Sequence, residues 1–369
     1  MDYNTFVQTI SDKYNYSEEL RIAIRLTLPL MVEKYGTDKI QDIRNLFENT
    51  RIFSSSDMGK DTRDRIEKEM TSGVNEHVEF IEEDPYQNDK DPGSYYANVP
   101  VFDENANVIG ERNWVVVKDM KDEYNASRYK ELFGTSINMP YFIHEINHAF
   151  AMQNPVYIKE GNTINSKHGM FREQMQVEAS NGKVKVTTTD TKNIIIEEGI
   201  NEKYTQDMLT SLMKKQDYRE VKQELNAINH VNTSYSPTLI SLSEKLIDLL
   251  GDDKLYQYRN KNDMCVLKEF NETASKSEIA KTYCEGDKAF DYFDKKCFGI
   301  FTLASNCYKL PVPEYARRTR ELMVEAFSPL CAYQDISKGT MSKDKFDKIK
   351  DSILSTEIQI KTTPNQISK

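Results

Sequence analysis

The stretch MPYFIHEINHAF, residues 139 to 150, sets His144 and His148 four positions apart, with Glu145 directly after the first. On an α-helix, positions four apart stack one turn above each other, so the two imidazoles can converge on one ion. Glu145 is turned by about 100° from His144, which places its carboxylate beside such an ion rather than on it. Neutral imidazoles suit zinc, and a carboxylate so placed can take a proton from a water whose pKa the metal lowers towards about 7. The bland alternative is a pair of core histidines bonded to backbone. The pattern HExxH in a chain with five histidines weighs against it.

A catalytic zinc site needs a third protein ligand and an open fourth position. The continuation HAFAMQNPVY lacks the His-x-x-Gly-x-x-His that a metzincin requires. Further on, IIIEEGINEKYTQ carries Glu198 and Glu202 four apart, again on one helical face. A solvated acidic face would look the same, but Gly199 costs a helix up to about 1 kcal/mol relative to alanine, which points to close packing there, against something such as the motif helix.

Together HExxH and EGINE, residues 198 to 202, resemble the gluzincin metallopeptidases, whose third zinc ligand is a helical glutamate in a Glu-Gly-x-x-Glu segment. The resemblance implies His144, His148 and Glu198 as metal ligands and Glu145 as general base. It implies Glu202 as the carboxylate that orients a histidine through its free N–H. Residues Tyr235 to Leu267 are also similar to the helices that follow this motif in zincin-like proteins of Firmicutes. The chain from Ala149 to Glu197 is longer than the corresponding spacing in thermolysin-like enzymes and holds an inserted hairpin, so Glu197 and Glu202 stay as competing third ligands. A donor for the tetrahedral oxyanion is also required. Tyr235, in the polar NTSYSP segment, is the first choice, before His230 and Tyr204. His168 and His77 are expected at the surface, His168 in a loop or at the start of a strand.

These residues need elements to hold them. SEELRIAIRLTLPLMVEKYG reads as a helix with a Ser17 start, a Pro29 kink and a Gly36 stop. NVPVF and NWVVVKDM, joined by the turn DENANVIGER, form a Val-rich hairpin carrying Trp114. Pro140 suits the first turn of the motif helix, whose Phe142, Ile143, Ile146, Ala149 and Phe150 leave it apolar on most sides. Alternating residues around Asn181-Gly182 predict a type I′ hairpin. NIIIEEGINEKYTQDMLTSLMKK is helical, and from about residue 217 helices dominate, including SPTLISLSEKLIDLLG. The expected fold is α+β: a helical region over 1–95, a zincin-like catalytic core over 96–230, and a helical region over 231–369. EEDPYQNDKDPGSYY is the expected linker.

Bulk properties narrow the partners. The 369 residues carry a net charge of −10, which disfavours nucleic acid and anionic membranes. The start lacks a basic and apolar leader, so a cytoplasmic protein is expected, with export by an unusual route left open. The five cysteines are widely spaced, consistent with reduced and mostly buried thiols. The expected activity is zinc-dependent hydrolysis of a peptide or protein substrate, and the alternative is an inactive zincin-fold binding or regulatory protein with a structural zinc. Oligomeric state and substrate stay open.

Overall fold

Helix α1 (Tyr3–Tyr14) opens at Asp2, whose carboxylate accepts from the backbone of Asn4 and Thr5. Helix α2 (Glu18–Tyr35) is capped by Ser17, which accepts from the Leu20 N–H, and stops at Gly36 with φ +98°. It runs on through Pro29. These are the boundaries that side-chain capping and glycine termination dictate. A short 3-10 turn, Thr37–Lys39, leads into α3 (Ile40–Asn49). The computed structural model describes residues 2–54, 78–80, 94–117, 123–215, 237–306 and 309–355.

Two small sheets follow. Strands β1 (Arg51–Ser54), β3 (Tyr95–Phe102) and β4 (Val108–Val117) form a three-stranded sheet in the order β1-β4-β3. The β3–β4 pair is the expected hairpin, with Asn98 opposite Asn113, and β1 runs parallel to β4. In its loop, Asp103 accepts from the backbone N–H groups of Asn105 and Asn107, an Asx arrangement that closes the turn. One face of this sheet is apolar, with Phe53, Trp114 and Val116 buried together.

The chain between the histidine pair and Glu198 holds more than one hairpin. Strands β5 (Val156–Glu160), β6 (Thr163–His168), β7 (Phe171–Ser180) and β8 (Lys183–Lys192) run antiparallel in sequence, and β2 (Val78–Phe80) pairs parallel to β8. At the β7–β8 turn Asn181 and Gly182 both have positive φ, 52° and 72°, as a type I′ turn demands. Ile164, Met175, Val177, Val184 and Val186 line one face of this sheet and pack with Phe102 and Ala106 of the β3–β4 hairpin.

His168 departs from the expectation of an exposed position. It ends β6 and is 6% exposed. Its ring meets Tyr157 edge-on at 5.3 Å. Burial, with a smaller contribution from the Lys167 charge, holds its pKa down at about 4, so the ring is neutral. The period-2 pattern explains the difference: His168 falls on the same face of β6 as the buried Ile164.

Helix α4 (Glu123–Phe133) ends at Gly134, φ +75°, and the next residues are tied to α2. Thr135 Oγ1 donates to the Glu19 carbonyl, the Ser136 N–H donates to Glu19 Oε2 at 2.6 Å, and Lys130 pairs with the same carboxylate at 2.9 Å. The motif helix α5 (Met139–Met152) starts from there and packs on α2, α3, β3 and β4. Phe142, Ile143, Ile146, Ala149 and Phe150 are buried, as its apolar pattern requires. Each large apolar side chain among them contributes about 1.5–3 kcal/mol.

Helix α6 (Ile194–Lys215) carries the second acidic pair. The chain divides into two compact units, and the division crosses this helix: residues 195–200 group with 233–258 and 263–369, and the rest with 1–194 and 259–262. The second unit is helical, with α7 (Pro237–Leu250), α8 (Asp252–Lys261, whose last residues belong to the first unit), α9 (Cys265–Ala274), α10 (Glu278–Tyr283), α11 (Ala289–Ser305), α12 (Val312–Lys338) and α13 (Lys343–Ser355). The long α12 is its centre, packed by α7, α9, α10, α11 and α13. Phe270 stacks on Tyr333 at 4.8 Å and meets Phe290 edge-on. The expected linker falls almost wholly outside the described residues. Of the described cysteines, Cys297 and Cys331 are buried, Cys284 is half-buried and Cys265 is exposed; all four are free thiols.

Candidate metal centre

The motif helix presents its histidines as the spacing requires. His144 Nε2 and His148 Nε2 lie 3.1 Å apart with the rings tilted by 74°. Two nitrogens bound tetrahedrally to one zinc at about 2.0–2.1 Å stand roughly 3.3–3.4 Å apart, so the separation fits a shared ion. A shared proton is the other species that would hold two imidazole nitrogens so close. A carboxylate stands beside the pair as a third potential ligand. His144, His148 and Glu198 each offer a ligand atom, and these atoms all lie within 4.8 Å of one another. Among the described residues they form the group of His, Cys, Asp and Glu side chains able to hold a metal ion. Two neutral nitrogens and one carboxylate oxygen are a donor set that fits zinc and leaves a fourth position open.

Helix periodicity supplies the carboxylates. Glu198 and Glu202 sit one turn apart on α6, and Glu202 Oε2 lies 3.5 Å from His144 Nδ1. That contact favours the tautomer with the proton on Nδ1 and the lone pair on Nε2, the nitrogen that faces His148. Glu202 therefore reaches the far side of the imidazole, while Glu198 joins the ligand atoms. Glu197 is 1% exposed and is not part of the group.

Burial grades across the centre. His148 is 5% exposed and Glu145 7%, whereas Glu198 is half-buried and the His144 side chain is 12% exposed. The motif helix is also held by a polar clamp one residue before His148. Asn147, fully buried, accepts from the Tyr35 hydroxyl at 3.0 Å and donates to Thr205 Oγ1 of α6 at 3.4 Å. This links α2, α5 and α6 and fixes the rotation of the histidine face. At the helix end, Asn260 donates to the Phe150 carbonyl at 2.8 Å, and Arg259 donates to Asn201 of α6.

Gly199 packs closely, but against α7 rather than α5. A Cβ there would lie 2.1 Å from Ser243 Oγ and 3.1 Å from Ser243 Cβ. The glycine beside Glu198 is thus a close-approach residue.

Of the donor candidates, Tyr235 and His230 lie outside the described residues, as does His77. Tyr204 is 2% exposed, with Lys34 over its ring at 4.0 Å and Tyr35 edge-on at 5.8 Å, so its ring is committed to packing. Tyr141, overlooked when the motif helix is read for its apolar stripe, stands one turn before the histidines, half-buried. Its signal was its own spacing, three before His144 and four before Glu145.

No protein-family model, curated protein or solved structure matches this chain. What is established is a mixed α+β chain with a His-His-Glu group capable of holding a metal. None of its helices, among the described residues, is long and apolar enough to cross a membrane.

Proposed function

We propose that the chain is a zinc-dependent metallopeptidase with a zincin-like centre of the gluzincin type. The observation that carries the reading is the convergence of His144, His148 and Glu198 within 4.8 Å, with Glu145 next to the first ligand on the same helix. Zinc held there supplies Lewis acidity and an acidified water. Glu145 takes a proton from the attacking water, then hands it to the leaving amine as the C–N bond breaks. Glu202 keeps the His144 ring in its binding orientation and tautomer. The three ligands would carry one negative charge among them, so a divalent cation held by His144, His148 and Glu198 would keep a net positive charge able to polarise a peptide carbonyl.

The test is direct. Purified protein is assayed for metal content and for cleavage of a peptide library, wild type against Glu145→Gln. One zinc per chain, cleavage by wild type and none by the variant is the expected result. Equal cleavage by both removes Glu145 from the mechanism.

A second reading is a zinc-bearing binding or regulatory protein without turnover. It draws on the depth of Glu145, 7% exposed. One zinc per chain with no cleavage of any library peptide by wild type would decide for it. In either case the partner is a peptide or protein, and the charge of −10 disfavours nucleic acid and anionic membrane surfaces.

A further inference from the structure

Hydrolysis at this centre creates a negative oxygen among Glu145, Glu198 and Glu202, and it needs a neutral donor. With about 100° between successive residues, the direction of Tyr141 from the α5 axis falls between those of His144 and Glu145. The three side chains share one face, and long helical side chains lean towards the N-terminus, so the phenol extends beyond the histidines along that face. It is half-buried. Burial foremost, then the carboxylates of Glu202 and Glu145, raise its pKa above the ordinary value, so it remains an O–H donor at neutral pH. The same two carboxylates are therefore its electrostatic neighbours.

A second phenol lies within electrostatic reach of Tyr141. Tyr129 of α4 is fully buried, and burial first, then the Tyr141 phenol, holds its pKa above the ordinary value.

We propose that Tyr141 donates the hydrogen bond that stabilises the carbonyl oxygen of the scissile peptide as it becomes negative. This rests on the peptidase reading above. The water oxygen bonds to the carbonyl carbon, the C=O π pair moves onto the carbonyl oxygen, and Tyr141 hydrogen-bonds that oxygen without losing its proton. On collapse the C=O bond re-forms, the C–N bond breaks, and the amine leaves with the proton carried by Glu145. Tyr141 thus fills the role for which Tyr235 was the sequence choice.

The test uses the zinc-loaded full chain and a peptide that wild type cleaves. Tyr141→Phe is expected to keep one zinc per chain and a KM within about twofold, while kcat falls about 10²–10³-fold, the usual cost of one oxyanion donor. A phosphinic peptide, whose tetrahedral oxygens imitate the intermediate, should bind the variant more weakly by a similar factor. A thiol chelator that only ligates zinc should bind it unchanged. Full kcat in Tyr141→Phe, alongside a dead Glu145→Gln, overturns the Tyr141 assignment and leaves the peptidase reading standing. No cleavage of any peptide by zinc-loaded wild type overturns both. Loss of zinc from Tyr141→Phe counts against it too, because the effect would then be on the ligands.

Discussion

The Nδ1 atom of His144 lies 3.5 Å from Oε2 of Glu202, while Nε2 of the same ring lies 3.1 Å from His148 Nε2. One imidazole thus faces a carboxylate on one side and a second imidazole on the other. Glu202→Gln keeps the shape but loses the charge that raises ring basicity and selects its tautomer. Zinc affinity should fall about 10–100-fold, read by competition with a chromophoric chelator. An unchanged affinity would show that His144 needs no such partner.

The two glutamates at the start of α6 should behave differently. Glu198→Gln should abolish stoichiometric zinc binding at neutral pH, because the carboxylate is among the converging ligand atoms. Glu197→Gln should retain one zinc per chain. The reverse result, by metal analysis of the two purified variants, would exchange their roles.

Gly199 should not tolerate a side chain. Alanine there gains up to about 1 kcal/mol of helix propensity, but its Cβ would meet Ser243 Oγ at 2.1 Å. Overpacking of this kind costs about 1–3 kcal/mol, so Gly199→Ala should be destabilised in urea unfolding. Adding Ser243→Ala removes the nearest atom and should recover part of the loss, a non-additive pair. Additive effects would mean that the two positions do not touch.

His168 gives the fold a pH dependence whose sign is fixed. Its pKa is about 4 in the native state against 6.5 as an ordinary histidine. Between these values the unfolded chain binds more protons, so stability falls as pH drops from about 6.5 to 4 and levels off below. The term amounts to about 3 kcal/mol at neutral pH. His168→Gln lacks it, so its destabilisation relative to wild type should shrink by roughly 2–3 kcal/mol between pH 7.5 and 4.5 in denaturant titrations. Parallel curves for the two proteins would place the proton elsewhere.

Asn147 should matter for the centre although it binds no metal. Asn147→Leu leaves the Tyr35 hydroxyl and Thr205 without this partner inside the fold, a loss of about 1–3 kcal/mol. Tyr35→Phe, which removes a single hydroxyl, should cost less. Thermal melts of both variants, with zinc content measured beside them, check the order.

Much of this was legible in one dimension because the signals are local. Ser17 and Gly36 bound α2, Asn181-Gly182 turns β7 into β8, and His144 with His148 share a helical face by spacing alone. Each depends on φ/ψ preference or periodicity within a few residues. His168 was misread because a short polar run beside a glycine looks like a loop, and only pairing in the sheet buries it. The four strands between the histidines and Glu198 were half seen for the same reason: strand pairing is non-local.

What the sequence by itself determined is the chemistry on offer: two imidazoles and a carboxylate on one helix, and two carboxylates one turn apart on another. Which carboxylate meets the imidazoles is a matter of rotation about α6, and no local preference sets it. Packing set it, through the Asn147 clamp to Tyr35 and Thr205 and the close approach of Gly199 to Ser243. Tertiary structure likewise buried Tyr204 under Lys34 and left Tyr141 beside Glu145 and Glu202. Side-chain identity fixes what a group can do, but only long-range burial fixes which groups share a solvent-poor space.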